Sequence, residues 1–158
     1  MQPLSASQSP KIPETAVVAT LRELLATCRD AERGYQHAAE LADDASIKEL
    51  FARRHVVRQE LALALKDALY RHGKLIETDH GTVLGTIHRG VLDAMARVRD
   101  GRLHALVSEC ERGERVAIAV YQDALSKALP EDVRLLVEDH LATFTHDRDE
   151  LRDLLAGR

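Results

Sequence analysis

Two glutamates interrupt apolar helix seams. Glu32 follows Cys28 by four residues and precedes Tyr35 by three, and Glu114 stands in the same way between Cys110 and Ala117. That spacing puts each carboxylate on the stripe its apolar neighbours occupy. A carboxylate there is too costly to bury alone, so each needs a cation, a proton or a metal beside it. Chain arithmetic nominates the neighbours. Glu32 lies about 12 residues before a turn near residue 44, roughly 18 Å along a helix, which sets it opposite Arg54, His55 and Arg58. Glu114 lies about 16 residues before Pro130, roughly 24 Å from the other end, opposite His146, Asp147 and Arg148. With the two hairpins running in opposite senses, both glutamates are expected in one central layer.

Such a layer supports two chemistries. Carboxylate oxygens and imidazole nitrogens suit iron or manganese, and facing helices can supply them. The metal candidates are Glu32, His55, Glu114, His146 and Glu150, the last one turn beyond His146. The usual pattern adds a glutamate three residues before each histidine, and here Ala52 and Thr143 hold those places. The other chemistry is a buried ion-pair layer of Glu32, Arg54, Arg58, Glu114 and Arg148, in which guanidinium both neutralises a carboxylate and competes with any metal. The expectation is the ion-pair layer, with no catalytic residue and no cofactor. Iron or manganese is the alternative. A haem between two histidines is disfavoured, because there is no C-x-x-C-H motif and the seams are expected to lack room-making glycines.

The positioning elements are helices. Val18, Leu21, Leu25, Cys28, Tyr35 and Ala39 step by fours and threes along residues 16–42, with one gap that Glu32 fills, the rhythm of a packed helix. Ser46-Ile47-Lys48-Glu49 has the form of a capping box opening a second helix over 47–72, with Gly73 as its stop. A loop over 74–81 and a shorter crossover helix near 83–98 are expected next, then a turn at Asp100-Gly101. A helix over 103–128 follows, and a last one runs from Pro130, at its first position, to about Leu155. The motif C-x-x-x-E-R occurs at Cys28 and again 82 residues later at Cys110, each time on the first helix of a hairpin. The reading is all-α: an up-and-down four-helix bundle over 15–158, with residues 1–14, rich in Ser, Gln and Pro, as a flexible tail.

Composition excludes several function classes. The 158 residues are 45% hydrophobic and 30% charged, with 3% aromatics and no Trp, a helical rather than a β-sandwich composition. Net charge is −4 with no basic block, which argues against nucleic acid and against a basic membrane-surface helix. No apolar run reaches the roughly 18 residues of a membrane span, and the N-terminus lacks the pattern of a secretory signal. Two distant cysteines read as free thiols in a reducing cytoplasm. His37, His72, His80 and His104 are expected at the surface, and His140 in the core with a hydrogen bond. Tyr35 and Tyr121 are expected to pack and hydrogen-bond.

Several stretches also resemble a known family: Cys28–Leu41 (CRDAERGYQHAAEL), Leu50–Leu61 (LFARRHVVRQEL), His88-Arg89-Gly90, Glu109–Leu125 (ECERGERVAIAVYQDAL) and Leu129-Pro130. They are similar to an uncharacterised proteobacterial family of ferritin-like four-helix bundles, a domain of unknown function, over residues 17–156. Val91 stands where that family would carry an aromatic. The resemblance implies the ferritin-like fold and no assigned activity, and it loosely suggests a stress or storage context. The function expected is therefore a cytoplasmic, non-catalytic, stress-associated or interaction protein, with a homo-oligomer as the partner allowed for. The alternative is a di-iron or di-manganese oxidase or peroxidase-like protein.

Overall fold

The computed structural model describes residues 14–73 and 101–157. Four helices make up nearly all of them: α1 Glu14–Leu41, α2 Ala45–Arg71, α3 Arg102–Leu125 and α4 Glu131–Ala156. The tail, the loop over 74–81, the crossover helix, His80 and His88-Arg89-Gly90 lie outside the described residues. Each helix is on the order of 40 Å long. Among the described residues the architecture is an all-α four-helix bundle.

Tight turns fix two antiparallel hairpins, α1–α2 and α3–α4. Across them, α1 packs on α3 and α2 on α4. Side-chain pairs give the sense of those contacts. Cys28 meets Tyr121 and Tyr35 meets Glu114, so α1 and α3 run oppositely. Arg54 meets Glu150 and Arg58 meets Asp147, so α2 and α4 do too. Helices α2 and α3 therefore point the same way, and Gly73 and Gly101 lie at opposite ends of the bundle. Side chains tie both ends: Arg71 and His72 reach Asp132 at one, and Arg102 reaches Asp43 at the other.

Caps explain where the helices stop. The expected capping box at Ser46 is corrected. Asp44 is the N-cap of α2, and its Oδ1 accepts from the backbone N–H of Ser46 and Ile47 at 3.0 and 3.1 Å. Ser46 turns its hydroxyl back to that same carboxylate. A full charge two residues earlier outcompetes a hydroxyl for the orphan donors. Gly73, at φ 82°, closes α2 in the left-handed region, with its N–H on the Tyr70 carbonyl. Pro130 is the N-cap of α4 rather than its first helical residue, and α3 ends at Leu125 rather than 128.

The apolar interior falls into two clusters. One gathers Leu21, Leu24, Leu65, Tyr121, Val137 and Phe144; the other gathers Tyr35, Phe51, Leu106, Val107, Cys110 and Leu151. Burying each such leucine or phenylalanine contributes about 1.5–3 kcal/mol. Between the clusters in sequence, on three of the helices, come Arg54 and Arg58, Glu114, and Asp147. Because Asp44 supplies the cap, Asp44→Ala should cost about 1 kcal/mol in urea unfolding, and Ser46→Ala clearly less. Equal losses would restore the capping-box reading.

Candidate functional site

Helix periodicity delivers the site. In α2 the seam runs Ile47, Phe51, Arg54, Arg58, Leu61, Leu65, and in α4 it runs Val137, His140, Phe144, Asp147, Leu151. Every step is three or four, so both arginines and the aspartate project inward with their apolar neighbours. Glu114 does the same on α3, between Cys110 and Ala117.

Arg58 is the centre. Its side chain is 0% exposed, and its Nη2 donates to Glu114 Oε1 and to Asp147 Oδ2, both at 2.7 Å. The bond to Glu114 crosses the bundle diagonally, from α2 to α3. The guanidinium lies over the Phe144 ring, 4.1 Å from its centroid, and also faces Tyr35 at 5.5 Å. Tyr35 donates its hydroxyl to the same Glu114 oxygen, and Arg54 Nη1 donates to Tyr35 at 3.2 Å. Arg54 Nη2 reaches out to Glu150, which is half-exposed, at 2.7 Å. Arg58 Nε and Nη1 and Glu114 Oε2 have no hydrogen-bond partner among the described residues.

Magnitudes explain the cluster. Burying an ion costs several kcal/mol even after relaxation. One ion pair at about 4 Å in a protein-like dielectric returns about 4 kcal/mol. Arg58 therefore holds its charge with two carboxylates and an aromatic face rather than with one partner. Burial alone would lower its pKa, but Glu114, Tyr35 and Asp147 hold it above the ordinary arginine value. Burial raises Glu114, against the opposing pull of Arg58 and Tyr35. Burial also raises Tyr35, and the neighbouring Glu114 charge adds to it.

A second buried chain lies on the other side of the layer. Tyr121 OH is 3.0 Å from Cys28 Sγ and 3.1 Å from His140 Nδ1. Burial lowers His140 to about 4, so its ring is neutral. The arrangement that satisfies all three groups has Cys28 donating to Tyr121 and Tyr121 donating to Nδ1. Burial pushes the Cys28 thiol up to about 11 and raises Cys110 as well. Both thiols are free and protonated, which removes the thiolate that reactive cysteines need.

Several expected members lie elsewhere. Glu32 is largely covered but pairs with Arg29 on its own helix, so it is not in the Arg58 layer. His55 sits half-buried with Nδ1 3.1 Å from the Glu32 carbonyl oxygen. Arg148 pairs with its neighbour Asp149 near the surface. His146 is exposed. The reason is angular. His55, His146 and Arg148 are each one residue away from a seam position, and one residue turns a helix by about 100°. Arg54, Arg58 and Glu114 come together, and Glu150 forms the rim. Asp147 and Tyr35 complete the layer and were missed as members, although their three-four spacing marks them. The repeated C-x-x-x-E-R motif gives unlike outcomes, since Glu114 meets a diagonal arginine and Glu32 a local one.

The donor set fits a metal poorly. His146, Asp147 and Glu150 bring candidate ligand atoms within 4.8 Å of one another. Asp147 already holds Arg58, and Glu150 already holds Arg54, so guanidiniums stand where a cation would have to enter.

Arg58→Met should cost about 3–5 kcal/mol in urea unfolding, because it takes the only guanidinium from buried Glu114 and leaves Asp147 with the more distant Arg54. Adding Glu114→Gln to it should recover part of that loss, whereas additive losses would show packing rather than charge. His140 has its own signature. Unfolded, it titrates near 6.5; folded, near 4. Between those values the unfolded chain binds more protons, so stability falls as pH falls through that window. His140→Gln, which keeps an acceptor for Tyr121, should flatten that part of the stability curve, and an unchanged curve would contradict it.

No curated protein matches the chain. Among solved structures it is similar to a Mycobacterium smegmatis Dps1 mutant, with a TM-score of 0.72 and 15% identity over 90% of this chain and 96% of that one. At that identity the likeness establishes the shared fold. Residues 16–127, spanning α1 through α3, match the family described as Domain of unknown function (DUF2383), and the chain belongs to that family.

Proposed function

We propose that this protein is a non-catalytic ferritin-like bundle in which an arginine–carboxylate layer takes the central place that a metal pair would need. The observation that carries the reading is Arg58. Its fully buried guanidinium bridges Glu114 and Asp147 at 2.7 Å each and lies over the Phe144 ring, 4.1 Å from its centroid. A guanidinium held this way cannot leave to admit a metal without stranding its own charge. Arg54 blocks the neighbouring approach through Glu150. Burial keeps both thiols protonated and His140 neutral, so among the described residues neither a thiolate nor an imidazolium is offered there.

The role is then structural or interactive. The stress-associated context comes from the likeness to ferritin-like families rather than from any single residue. No described helix is long and apolar enough to cross a membrane. Self-association is part of the same proposal, with a helix face as the contact.

A second reading, an iron- or manganese-binding protein, rests on His146, Asp147 and Glu150. The two separate on metal content. Untagged protein, purified without chelator from cells supplemented with iron and manganese, is expected to carry well under one metal per chain by plasma mass spectrometry. One or two tightly held metals per chain would overturn the proposal.

A further inference from the structure

A cavity of about 270 Å³ lies between α1 and α3, with Gly34 and Gly113 on opposite walls. Mid-helix glycine costs about 1 kcal/mol relative to alanine. The expectation that the seams lack room-making glycines is corrected here. The lining holds Arg112 as well as Glu23 and Asp30, so it selects no charge. The outer face of α2 carries a more specific pattern. Among the described residues five large apolar side chains are exposed, and three of them stand on this helix: Val56 at 49%, Leu63 at 61% and Tyr70 at 71%.

The three are spaced by seven, two helical turns, so they form one line down α2 that drifts by only about 20° per step. Buried Phe51, Arg54, Arg58, Leu61 and Leu65 occupy the opposite side of the helix. The packing of the bundle therefore makes no use of that line. An apolar residue at every seventh place, framed by polar flanks, is the form of a seam that pairs with another helix. The flanks differ in charge. Residues four after each apolar position fall on one side of the line, and residues three after fall on the other. The first side carries Glu60 and Asp67; the second carries Gln59 and Lys66. One flank is acidic and the other neutral to basic.

We propose that the outward stripe of α2 pairs with the same stripe of a second copy of this chain, the two helices running parallel about a two-fold axis along the seam. This rests on the self-association proposed above and names its surface. Val56, Leu63 and Tyr70 then each meet their own counterparts, in three layers. Charge selects the direction. A parallel two-fold sets the acidic flank of one copy against the basic flank of the other, so Lys66 meets the partner's Asp67 on both sides of the seam. An antiparallel pair centred on Leu63 would set like flanks together, with Glu60 against the partner's Asp67. Lys66 keeps its contact within the chain, since an ammonium has three donors, and Asp67 keeps Arg71 at 3.2 Å. The seam also has a defined end. Glu49 stands seven before Val56, and its two copies would repel, so the helices diverge toward the α1–α2 turn. From Val56 to Tyr70 is about 21 Å. A strip of that length falls well short of the roughly 1,200 Å² that a stable interface buries. The dimer is therefore transient, with a dissociation constant of roughly 10–500 μM.

Sedimentation velocity of the full chain from about 5 to about 500 μM tests this, and a concentration-dependent monomer–dimer equilibrium is expected. Leu63→Lys, at an exposed position, should leave the chain monomeric throughout, with an unchanged melting temperature. Lys66→Glu and Asp67→Lys should each weaken pairing by about tenfold, since each turns two symmetric attractions into repulsions. The double variant restores both and should pair within about threefold of the parent. Direction has its own readout. Tyr70→Cys should cross-link to itself under mild oxidation, and the native thiols, both buried, do not compete. A chain monomeric throughout the range would overturn the proposal and leave the non-catalytic reading standing, which metal content decides. Pairing undiminished by Leu63→Lys, a double variant no tighter than the singles, or Tyr70→Cys cross-linking only to Val56→Cys would each overturn it. A melting temperature several degrees lower in Leu63→Lys would assign the stripe to the chain's own residues 74–100 and overturn it as well.

Discussion

The guanidinium of Arg58, without solvent exposure, between Glu114 and Asp147 is the constraint on which the centre of the bundle depends. A charge in that position has no way to be satisfied by small adjustments. Its partners come from α3 and α4, and its aromatic support comes from Phe144 and Tyr35. Arg58 thereby ties its own helix to the other three at one level. Apolar contacts tolerate sliding, since one leucine substitutes for another a turn away. An ion bound by two carboxylates does not, because a shift by one turn would strand three charges. The layer therefore fixes the register of the two hairpins against each other.

The two tyrosines extend that fixation to either side. Tyr35 on α1 reaches Glu114 on α3, and Tyr121 on α3 reaches back to Cys28 on α1. The first belongs to one apolar cluster and the second to the other. Each places a hydroxyl where a buried acceptor or donor needs it, and each buries a large ring as well. The α1–α3 contact is thus held by a reciprocal pair of phenols, with the cavity lying between the same two helices. Close packing is given up there in favour of space, against the backbone cost of Gly34 and Gly113.

Much of this was legible in the residues. The four-three rhythm located all four described helices to within a few residues, since burial of one face per helix is a local demand. It also put Glu114 inward, and the chain arithmetic brought Arg54 and Arg58 toward it. What misled was residue type. His55 and His146 attract attention as ligands, yet the seam passes through their neighbours Arg54 and Asp147. Spacing carried the information, and chemical interest pulled the reading one position aside. Glu32 was misleading for a different reason: its spacing is inward, but Arg29, three residues earlier, reaches it first. An acid with a cation on its own helix needs nothing from across the bundle.

The sequence by itself determined the helices, their hairpins, the stripe each one buries and the presence of charge in those stripes. These follow from periodicity and turn chemistry, which act over a few residues. Only the tertiary structure decided which charge meets which. The diagonal reach of Arg58 to Glu114, the sharing of that carboxylate with Tyr35, and the Cys28–Tyr121–His140 chain join residues 19 to 93 positions apart. Such pairings depend on how far one helix has turned and slid against another, and neither quantity is written in the spacing along a single helix.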